Sequence, residues 1–347
     1  MKRSNLIIGA VVVALLALLP LVIDQYLLNN AVLIVMFVGI TVAWNIAAFG
    51  GALSLGHAAF FGLGSYTMAI LLLDYGVNPW LGMLAGMVVA AGGGLLLSIP
   101  LLRLRGPFFT LASLAFVEVI RLLSVFARDF TGGSEGLTIP YQPGWLNMSF
   151  SDREPYYYIV LGLTILAVLV SIKIYYSRMG YQLRASGSDD EATRALGVNT
   201  AVLKVLALVV SAALTGAFGA FAAQYFFIVD PETNFSLNLY SIQPALNGII
   251  GGAGTVLGPI LGAVLMTPIG EYMRSAFAGQ QGLNFMIYGV VLVAVVMLMP
   301  GGLVSGIEKL RARFRRNRGD DRLTDDTSVV DEQPEKVVEE PREKDQL

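Results

Sequence analysis

Few side chains in this chain of 347 residues combine chemical reactivity with an unusual position. Glu118 and Arg121 stand three residues apart within an apolar run, and His57 is the only histidine. A carboxylate and a guanidinium at this spacing lie on one face of a helix, where they can form an ion pair. Charged groups at membrane depth are costly, so such a pair either fixes helix packing or lines the path of a polar solute.

The same inventory argues against several kinds of chemistry. With one histidine and no cysteine, the chain lacks the ligands for a multi-histidine or thiolate metal site. A proton relay usually needs more intramembrane acids than this chain carries. The P-loop pattern G-x-x-x-x-G-K-[ST] does not occur in the sequence, so the chain does not bind ATP in that way, and no cofactor is expected in it. A membrane-embedded enzyme would need clustered catalytic residues, which this sequence does not offer.

A polar island interrupts the apolar sequence at residues 177–203. Its charged residues before Lys204 are Arg178, Arg184, Asp189, Asp190, Glu191 and Arg194. Residues 189–196 predict one short helix, with Ser186 or Ser188 as the N-cap, acids in the first turn and Gly197 as the stop. A short helix between two membrane spans is either a docking surface for a soluble partner or a solvated connector.

The elements that must position these residues are apolar. Mean hydropathy is +0.67 and charged residues make up 14 %, which is typical of a membrane protein. Segments long enough to cross a bilayer are predicted near 5–23, 30–49, 53–73, 80–102, 107–127, 157–176, 204–228 and 283–300. We read the first of these as a span rather than a signal peptide, because its apolar core is long and no small-residue cleavage site is evident. The sequence therefore predicts an all-α polytopic integral membrane protein with eight to ten transmembrane helices.

Glycines interrupt two apolar stretches, residues 44–68 and 248–262. The candidate residues here are Asn45, Gly51, Ser54, Gly56 and His57 in the first stretch, and Gly251, Gly252 and Gly254 in the second. Small residues permit close helix approach, and helices broken inside the membrane can expose backbone groups to a polar substrate. A central transport site and simple helix packing both explain these glycines. The lone histidine is more typical of a hydrogen-bonded packing residue than of a ligand. Region 237–272 is predicted to be a re-entrant segment or two short spans.

Basic residues indicate the orientation of the chain. With the N-terminus inside, the inner loops collect Arg103, Arg105, Lys173, Arg178, Arg184, Arg194 and Lys204. The outer loops are mainly acidic, with Asp24, Asp74, Asp129, Glu135, Asp152, Glu154, Asp230 and Glu232. Lys and Arg favour the cytoplasmic side, so the island and the arginines at 311–318 are both predicted there. Because the island and these arginines are predicted on the same side, region 237–272 must cross the membrane an even number of times. Residues 1–306 then form the transmembrane domain, and residues 307–347 form a charged, disordered cytoplasmic tail whose basic start suits anionic lipid.

Several blocks of this sequence resemble the permeases of branched-chain amino acid ABC importers, the LivM type. The block at 180–199 is similar to that family's cytoplasmic coupling loop, with departures at Gln182, Ser186 and Gly187. The block at 51–66 is similar to its signature G-x-x-S-L-G-H-A-A-F-F-G-I-G-A-Y, and the block at 248–262 to its V-x-G-G-x-G-S-x-x-G-P-x-x-G-A run. A further run, from Gly106 to Leu137, ends in the family's L-T-G-G-S/T-x-G-L pattern. The resemblance covers approximately residues 25–306.

The resemblance implies an ABC importer permease fold, a transport subunit rather than an enzyme, and a multi-pass protein of the bacterial inner membrane with both termini cytoplasmic. It implies as partners a homologous second permease subunit, two cytoplasmic ATPase subunits that bind the ATP, a periplasmic or lipid-anchored substrate-binding protein, and membrane lipid, but no nucleic acid. The implied ATPase-coupling residues are Arg184, Asp189, Asp190, Glu191, Arg194 and Gly197. The candidates for the translocation path are Asn45, Gly51, Ser54, Gly56, His57, Glu118, Arg121, Gly251, Gly252 and Gly254.

The outer loop 128–155 carries TGGSEG at 131–136 and faces the side where a binding protein would dock. An ordinary turn-rich loop is the alternative. For the cargo, permeases of urea or short-chain amides share these motifs, and an ion-coupled secondary transporter is the more distant alternative. Dependence of uptake on ATP separates the importers from the secondary transporter.

Overall fold

The computed structural model of the protein describes residues 3–104, 106–276, 289–290 and 302–304. All of them belong to one compact unit, Met1–Ser305. The helices of this part of the chain are α1 (Arg3–Leu18), α2 (Gln25–Ala48), α3 (His57–Tyr75), α4 (Pro79–Arg103), α5 (Pro107–Phe126), α6 (Arg128–Thr131), α7 (Glu154–Tyr175), α8 (Arg178–Ser188), α9 (Asp190–Ala195), α10 (Thr200–Phe226), α11 (Pro231–Asn234), α12 (Gln243–Gly251) and α13 (Leu257–Ala276). Two short antiparallel strands accompany them, β1 (Leu137–Thr138) and β2 (Ile228–Val229).

Six of the described helices, α2, α3, α4, α5, α7 and α10, are long and apolar enough to cross a bilayer. Their ends lie within about five residues of the predicted spans. The all-α polytopic fold is therefore confirmed. Helix α1, at 16 residues, continues as a 3-10 turn at Leu19–Leu21 and is shorter than the other six. The predicted span 283–300 and the predicted tail 307–347 lie outside the described residues, so the count of eight to ten spans stays a prediction.

Helix α10 lies at the centre of the bundle and packs against α2, α3 and α4, while α7 packs against α2. Glycines set the distance between the central helices. A Cβ atom at Gly64 of α3 would overlap the carbonyl oxygen of Gly216 in α10, and one at Gly219 would overlap that of Phe61. A Cβ atom at Gly86 of α4 would lie 2.9 Å from the carbonyl oxygen of Gly64. Backbones this close exclude any side chain, which is the usual role of small residues between membrane helices.

The helix connections gather at two ends of the bundle. We call one end the island face, made of residues 49–56, 104, 106 and 177–199. The other is the opposite face, made of residues 76–78, 127–153 and 227–237. At the island face, Thr110 at the start of α5 donates to the carbonyl of Leu53 at 2.8 Å. At the opposite face, β1 and β2 join the loop after α6 to the loop after α10.

Region 237–272 forms a helical hairpin against α2. A π turn, Asn238–Ile242, leads into α12, which at nine residues is only about 13 Å long and too short to span a bilayer. Gly251 lies against Gly258, and the Asn247 side-chain nitrogen lies 3.5 Å from Thr267 Oγ1, so α13 runs antiparallel to α12. The chain thus enters from the opposite face and returns towards it, as both the re-entrant and the two-span alternatives require.

Candidate functional site

The polar island folds as two helices rather than one. The Ser177 hydroxyl caps α8 by accepting from the Gly180 amide at 3.2 Å. Asp189 Oδ1 caps α9 by accepting from the amides of Glu191 and Ala192, each at 3.0 Å. The prediction of one helix starting at Asp189 behind a serine cap is therefore wrong about the start, because the Asp189 carboxylate itself binds the free amides and suits the positive end of the helix. Gly197 ends the segment with φ +79°, as predicted.

Helix α9 is held to α10 by partly buried charged side chains of the island. Asp190 Oδ2 lies 2.8 Å from Arg194 Nη2, and its Oδ1 accepts from Lys204 Nζ at 2.9 Å. Partial burial acts to raise the pKa of the Asp190 carboxyl. Hydrogen bonds from Lys204 and Thr200 and the charges of Lys204 and Arg194 outweigh that effect and hold the pKa below its ordinary value. Asp190 is thus ionised at neutral pH and joins α9 to the first turn of α10.

Helix α8 is braced at both of its ends. Arg184 Nη1 donates to the carbonyl oxygen of Tyr175 at the end of α7 at 2.7 Å, and its guanidinium lies 3.8 Å from the centre of the Tyr175 ring. At the other end, a Cβ atom at Gly51 would lie only 3.2 Å from Gly187 Cα. Gly51 has φ +74°, so glycine is favoured there on both grounds. Helix α8 therefore links the end of α7 to the glycine-rich junction between α2 and α3.

The outer surface of the island carries both charge and apolar area. Glu191 is exposed and Arg194 is half-exposed. Leu196 is 83 % exposed and Tyr181 is also exposed, although both are large apolar side chains. Our reading of the sequence did not select Tyr181 and Leu196. The sequence nevertheless pointed to them, because large apolar residues in an otherwise polar loop are typical of a protein contact surface.

A cavity of about 700 Å³ lies where the island meets the glycine-rich junction and the corner between α4 and α5. Its walls include Gly51, Arg103, Thr110, Arg194 and Lys204. The predicted coupling residue Arg194 and the predicted path residue Gly51 thus border one space.

Two adjacent residues near the end of α2 hold both glycine-rich stretches. Asn45 Nδ2 donates to the carbonyl of Thr255 at 2.7 Å, and Asn45 Oδ1 accepts from the Gly254 amide at 2.8 Å. Trp44 Nε1 donates to the carbonyl of Ser54 at 2.8 Å. The residues predicted for the path in the first stretch and those in the hairpin turn, Gly251, Gly252 and Gly254, are therefore brought to the same end of α2.

His57 and its neighbours lie in helix packing contacts. The Ser211 hydroxyl donates to the carbonyl of Ala43 at 2.6 Å, so His57 Nε2, 2.7 Å from Ser211 Oγ, is assigned as the donor to that oxygen. His57 is fully buried between α3 and α10. The Gly56 amide donates to Ser54 Oγ at 3.1 Å. This geometry agrees with the packing alternative for the histidine.

Glu118 and Arg121 lie apart from the island and the two glycine-rich stretches. Arg121 donates from Nε at 3.0 Å and from Nη2 at 2.5 Å to the two carboxylate oxygens of Glu118. Arg121 Nη1 lies 3.5 Å from a carboxylate oxygen of Glu232, at the opposite face. The structure therefore separates the predicted path residues into two groups, one near each end of the bundle.

Comparison with known proteins gives consistent results. Residues 22–296 match the family model described as the permease component of branched-chain amino acid transport systems. The chain is 28 % identical over 310 residues to the high-affinity branched-chain amino acid transport system permease protein LivM of Escherichia coli, covering 82 % of this chain and 71 % of that protein. It is 24 % identical over 288 residues to LivH of the same organism, covering 77 % and 89 %.

A relative from a different import system also matches. The autoinducer 2 import system permease protein LsrC of Photorhabdus laumondii is 29 % identical over 257 residues, covering 72 % of this chain and 73 % of that protein. None of the solved structures shows significant similarity to the chain.

Proposed function

The chain belongs to the family of permease components of branched-chain amino acid transport systems, and we propose that it forms half of the translocation path of an ABC importer for branched-chain amino acids. Its role is to convert motion of partner ATPases into opening of that path, and it makes or breaks no bond. The observation that carries this proposal is the close packing of the island helices against the glycine-rich junction, which joins a contact surface to a break between membrane helices.

The proposed coupling runs along two connections. On the first, a force on α8 reaches Gly51 through Gly187, because the two backbones touch. On the second, a force on α9 reaches α10 through the contact of Asp190 with Lys204. Packed helices transmit displacement because protein interiors have low compressibility. The first connection ends at the junction that leads into α3, and the second ends at α10. These two helices pack closely on each other through Gly64, Gly216 and Gly219.

We propose two different roles for the predicted coupling residues. Arg184, Asp189, Asp190 and Gly197 shape the island and brace it through the hydrogen bonds, the ion pair and the turn described above. Glu191, Arg194, Tyr181 and Leu196 carry the exposed surface that we propose docks on an ATPase subunit. The apolar pair supplies contact area, and the charges supply orientation.

The remaining partners follow from the two faces and the sides of the bundle. A second, homologous permease subunit is proposed against the sparsely covered side of α5, and membrane lipid against the other apolar helices. A periplasmic or lipid-anchored binding protein is proposed to dock on the opposite face. ATP is proposed to bind only to the two ATPase subunits, so this chain needs no cofactor, and nucleic acid is not a partner.

We propose that the island face is cytoplasmic and that both termini lie on that side of the bacterial inner membrane. Basic residues favour this orientation. In addition, a Cβ atom at Gly302 would lie 2.9 Å from Gly252, so the chain has come back beside the hairpin turn by residue 302. Reporter fusions after Gly197 and after Arg318 should both report cytoplasm, and a fusion near Ser149 should report the periplasm. A periplasmic signal from the Arg318 fusion would contradict this orientation.

The coupling proposal is tested on the exposed surface of the island. Glu191→Lys and Leu196→Ser are each expected to lower co-purification of the ATPase subunits about tenfold, or to uncouple hydrolysis from uptake, because a docking contact becomes repulsive or loses apolar area. Insertion should be unchanged, since both side chains are exposed and surface substitutions usually shift stability by less than about 0.5 kcal/mol. The measurements are ATPase co-purification, substrate-stimulated hydrolysis and uptake in reconstituted vesicles.

Glu135→Lys is the matched control, because it makes the same charge change at an exposed residue of the opposite face. It should leave ATPase co-purification unchanged. If Glu191→Lys and Leu196→Ser both behave as the unchanged protein does, the island is a solvated connector and the coupling proposal is wrong. The structure also shows why Asp189 and Asp190 are poor choices for this test, since reversal at either would dismantle α9 itself.

Urea or a short-chain amide is the alternative cargo within the same class of importer. Uptake that does not require ATP would instead indicate an ion-coupled secondary transporter. The contacts near the opposite face bear on the choice of cargo.

A further inference from the structure

A cluster of three charged residues lies near the opposite face and takes no part in the coupling connections. Glu118 and Arg121 belong to α5, and Glu232 belongs to the short helix α11. Arg121 stands five residues before the end of α5, which places it about 7 Å from that end. The cluster therefore lies at the mouth of the bundle, on the side where the substrate is proposed to arrive.

The surroundings of α5 indicate that the cluster does not face lipid. Only 17 % of this apolar helix is buried inside the chain, the smallest share of the six spanning helices. The side chain of Arg121 is 26 % exposed and that of Glu118 is 43 % exposed. Charged side chains within spanning segments almost always face a partner helix or a water-filled path. The partly covered side of α5 that holds the cluster is therefore polar in the assembled protein.

The two ion pairs of Arg121 differ in strength. Glu118 receives two hydrogen bonds from the guanidinium, at 3.0 and 2.5 Å, which is the strong two-point geometry. Glu232 is 89 % exposed and makes a single contact at 3.5 Å. An exposed single contact of this kind contributes little stability, so it is easily exchanged. Arg121 is thus held firmly by Glu118 while its side towards Glu232 is open to exchange.

We propose that this cluster is the entry site for the substrate and that it recognises the zwitterionic α-amino acid group. The substrate carboxylate replaces Glu232 on Arg121, and the substrate ammonium pairs with the displaced Glu232 carboxylate. Both charges of the substrate are then matched without leaving a charge of the protein unpaired. An uncharged amide offers neither exchange, so the site selects amino acids over urea and amides. This inference rests on the proposed function and specifies its substrate class.

The test uses the complete importer in proteoliposomes, with its binding protein loaded with L-leucine. Arg121→Gln is expected to lower leucine uptake per ATP hydrolysed at least tenfold, and Glu232→Gln at least threefold. Arg121→Lys should recover part of the loss, because the charge remains while the two-point geometry is lost. Stimulated hydrolysis should stay within twofold of the unchanged importer in every variant. Asp74→Asn is the matched control, an exposed acid near the end of α3 and outside the loops proposed to dock the binding protein, and should change neither quantity.

A second readout separates recognition from helix packing. The amino acid photo-leucine, which keeps both charges and carries a diazirine, should label peptides of α5 or α11 in the unchanged importer. Labelling should fall at least fivefold in Arg121→Gln and in Glu232→Gln. Labelling and uptake per ATP that are unchanged in Glu232→Gln would overturn the inference even if Arg121→Gln fails to insert, since Glu232 is almost fully exposed. If the unchanged importer shows no ATP-dependent leucine uptake, the proposed function itself fails, and the two failures are thereby distinguished.

Discussion

Replacing Gly64 with valine is expected to prevent α3 and α10 from packing and to remove most of the folded protein. A Cβ atom at Gly64 would overlap the carbonyl oxygen, the carbonyl carbon and the Cα atom of Gly216. These are backbone atoms, so no rotamer change relieves the clash, and the helices must separate. Gly86 of α4 packs on the same turn of α3, so the separation disturbs a second interface. Overpacking usually costs about 1–3 kcal/mol, and a clash with backbone belongs at or above the top of that range.

The yield of monodisperse protein and its thermal midpoint in detergent would measure this effect. Gly92→Val in α4 is the matched control, because Gly92 lies in a neighbouring spanning helix, is exposed, and has no atom within 4 Å of a built Cβ. It makes the same chemical change where space is open. A Gly64→Val protein with the yield and midpoint of Gly92→Val would show that the central helices do not cross where the structure places them.

Replacing Asn45 with leucine is expected to abolish transport while the chain still inserts. The side chain of Asn45 satisfies the Gly254 amide and the Thr255 carbonyl in the hairpin turn. Leucine is close in size but leaves both groups without this partner in a site that is mostly buried. Each unsatisfied backbone group costs about 1–3 kcal/mol, so the loss is about 2–6 kcal/mol of local stability. The hairpin turn should then leave the end of α2 and lose its fixed place beside the first glycine-rich stretch.

Two further variants make this prediction sharp. In Asn45→Asp a second carboxylate oxygen, at a fully buried position, would face the Thr255 carbonyl oxygen in place of the amide donor, so its defect should be no smaller than that of Asn45→Leu. Thr41→Val is the matched control on the same buried side of α2, because the Thr41 hydroxyl bonds only to the carbonyl of Phe37 within its own helix. Uptake in vesicles and hydrogen exchange of residues 252–256 would measure the effect. Equal exchange in Asn45→Leu and Thr41→Val would rule out the proposed role of Asn45.

The spans were predictable because the bilayer dictates their length and composition, and the glycines at 50–51 and 251–252 marked where helices break. The fold of the island was harder to predict. Two serines and an aspartate could all cap a helix, and only the fold shows that Asp189 does so for α9. That Asp190 turns inward depends on Lys204, which arrives from the next helix.

Contacts between residues far apart in the chain could not be predicted from the sequence. Local spacing predicted the pair of Glu118 with Arg121, but the approach of Glu232 joins residues 111 positions apart and follows from tertiary packing alone. The apolar types of Tyr181 and Leu196 are visible in the sequence of the loop, but hydropathy does not say which apolar residue of a loop remains outside the core.

The bond between Asn45 and Thr255 also sets an order of events during biosynthesis. The two residues are 210 positions apart. A ribosome adding about 5–20 residues per second needs roughly 10–40 s to cover that distance. Throughout this interval α2 is already synthesised, but Thr255 is not, so the Asn45 side chain cannot yet form this hydrogen bond. Closure of the hairpin turn onto α2 is therefore a late folding step, and a nascent chain that stalls before residue 255 would hold an exposed polar group in the bilayer for membrane quality control to detect.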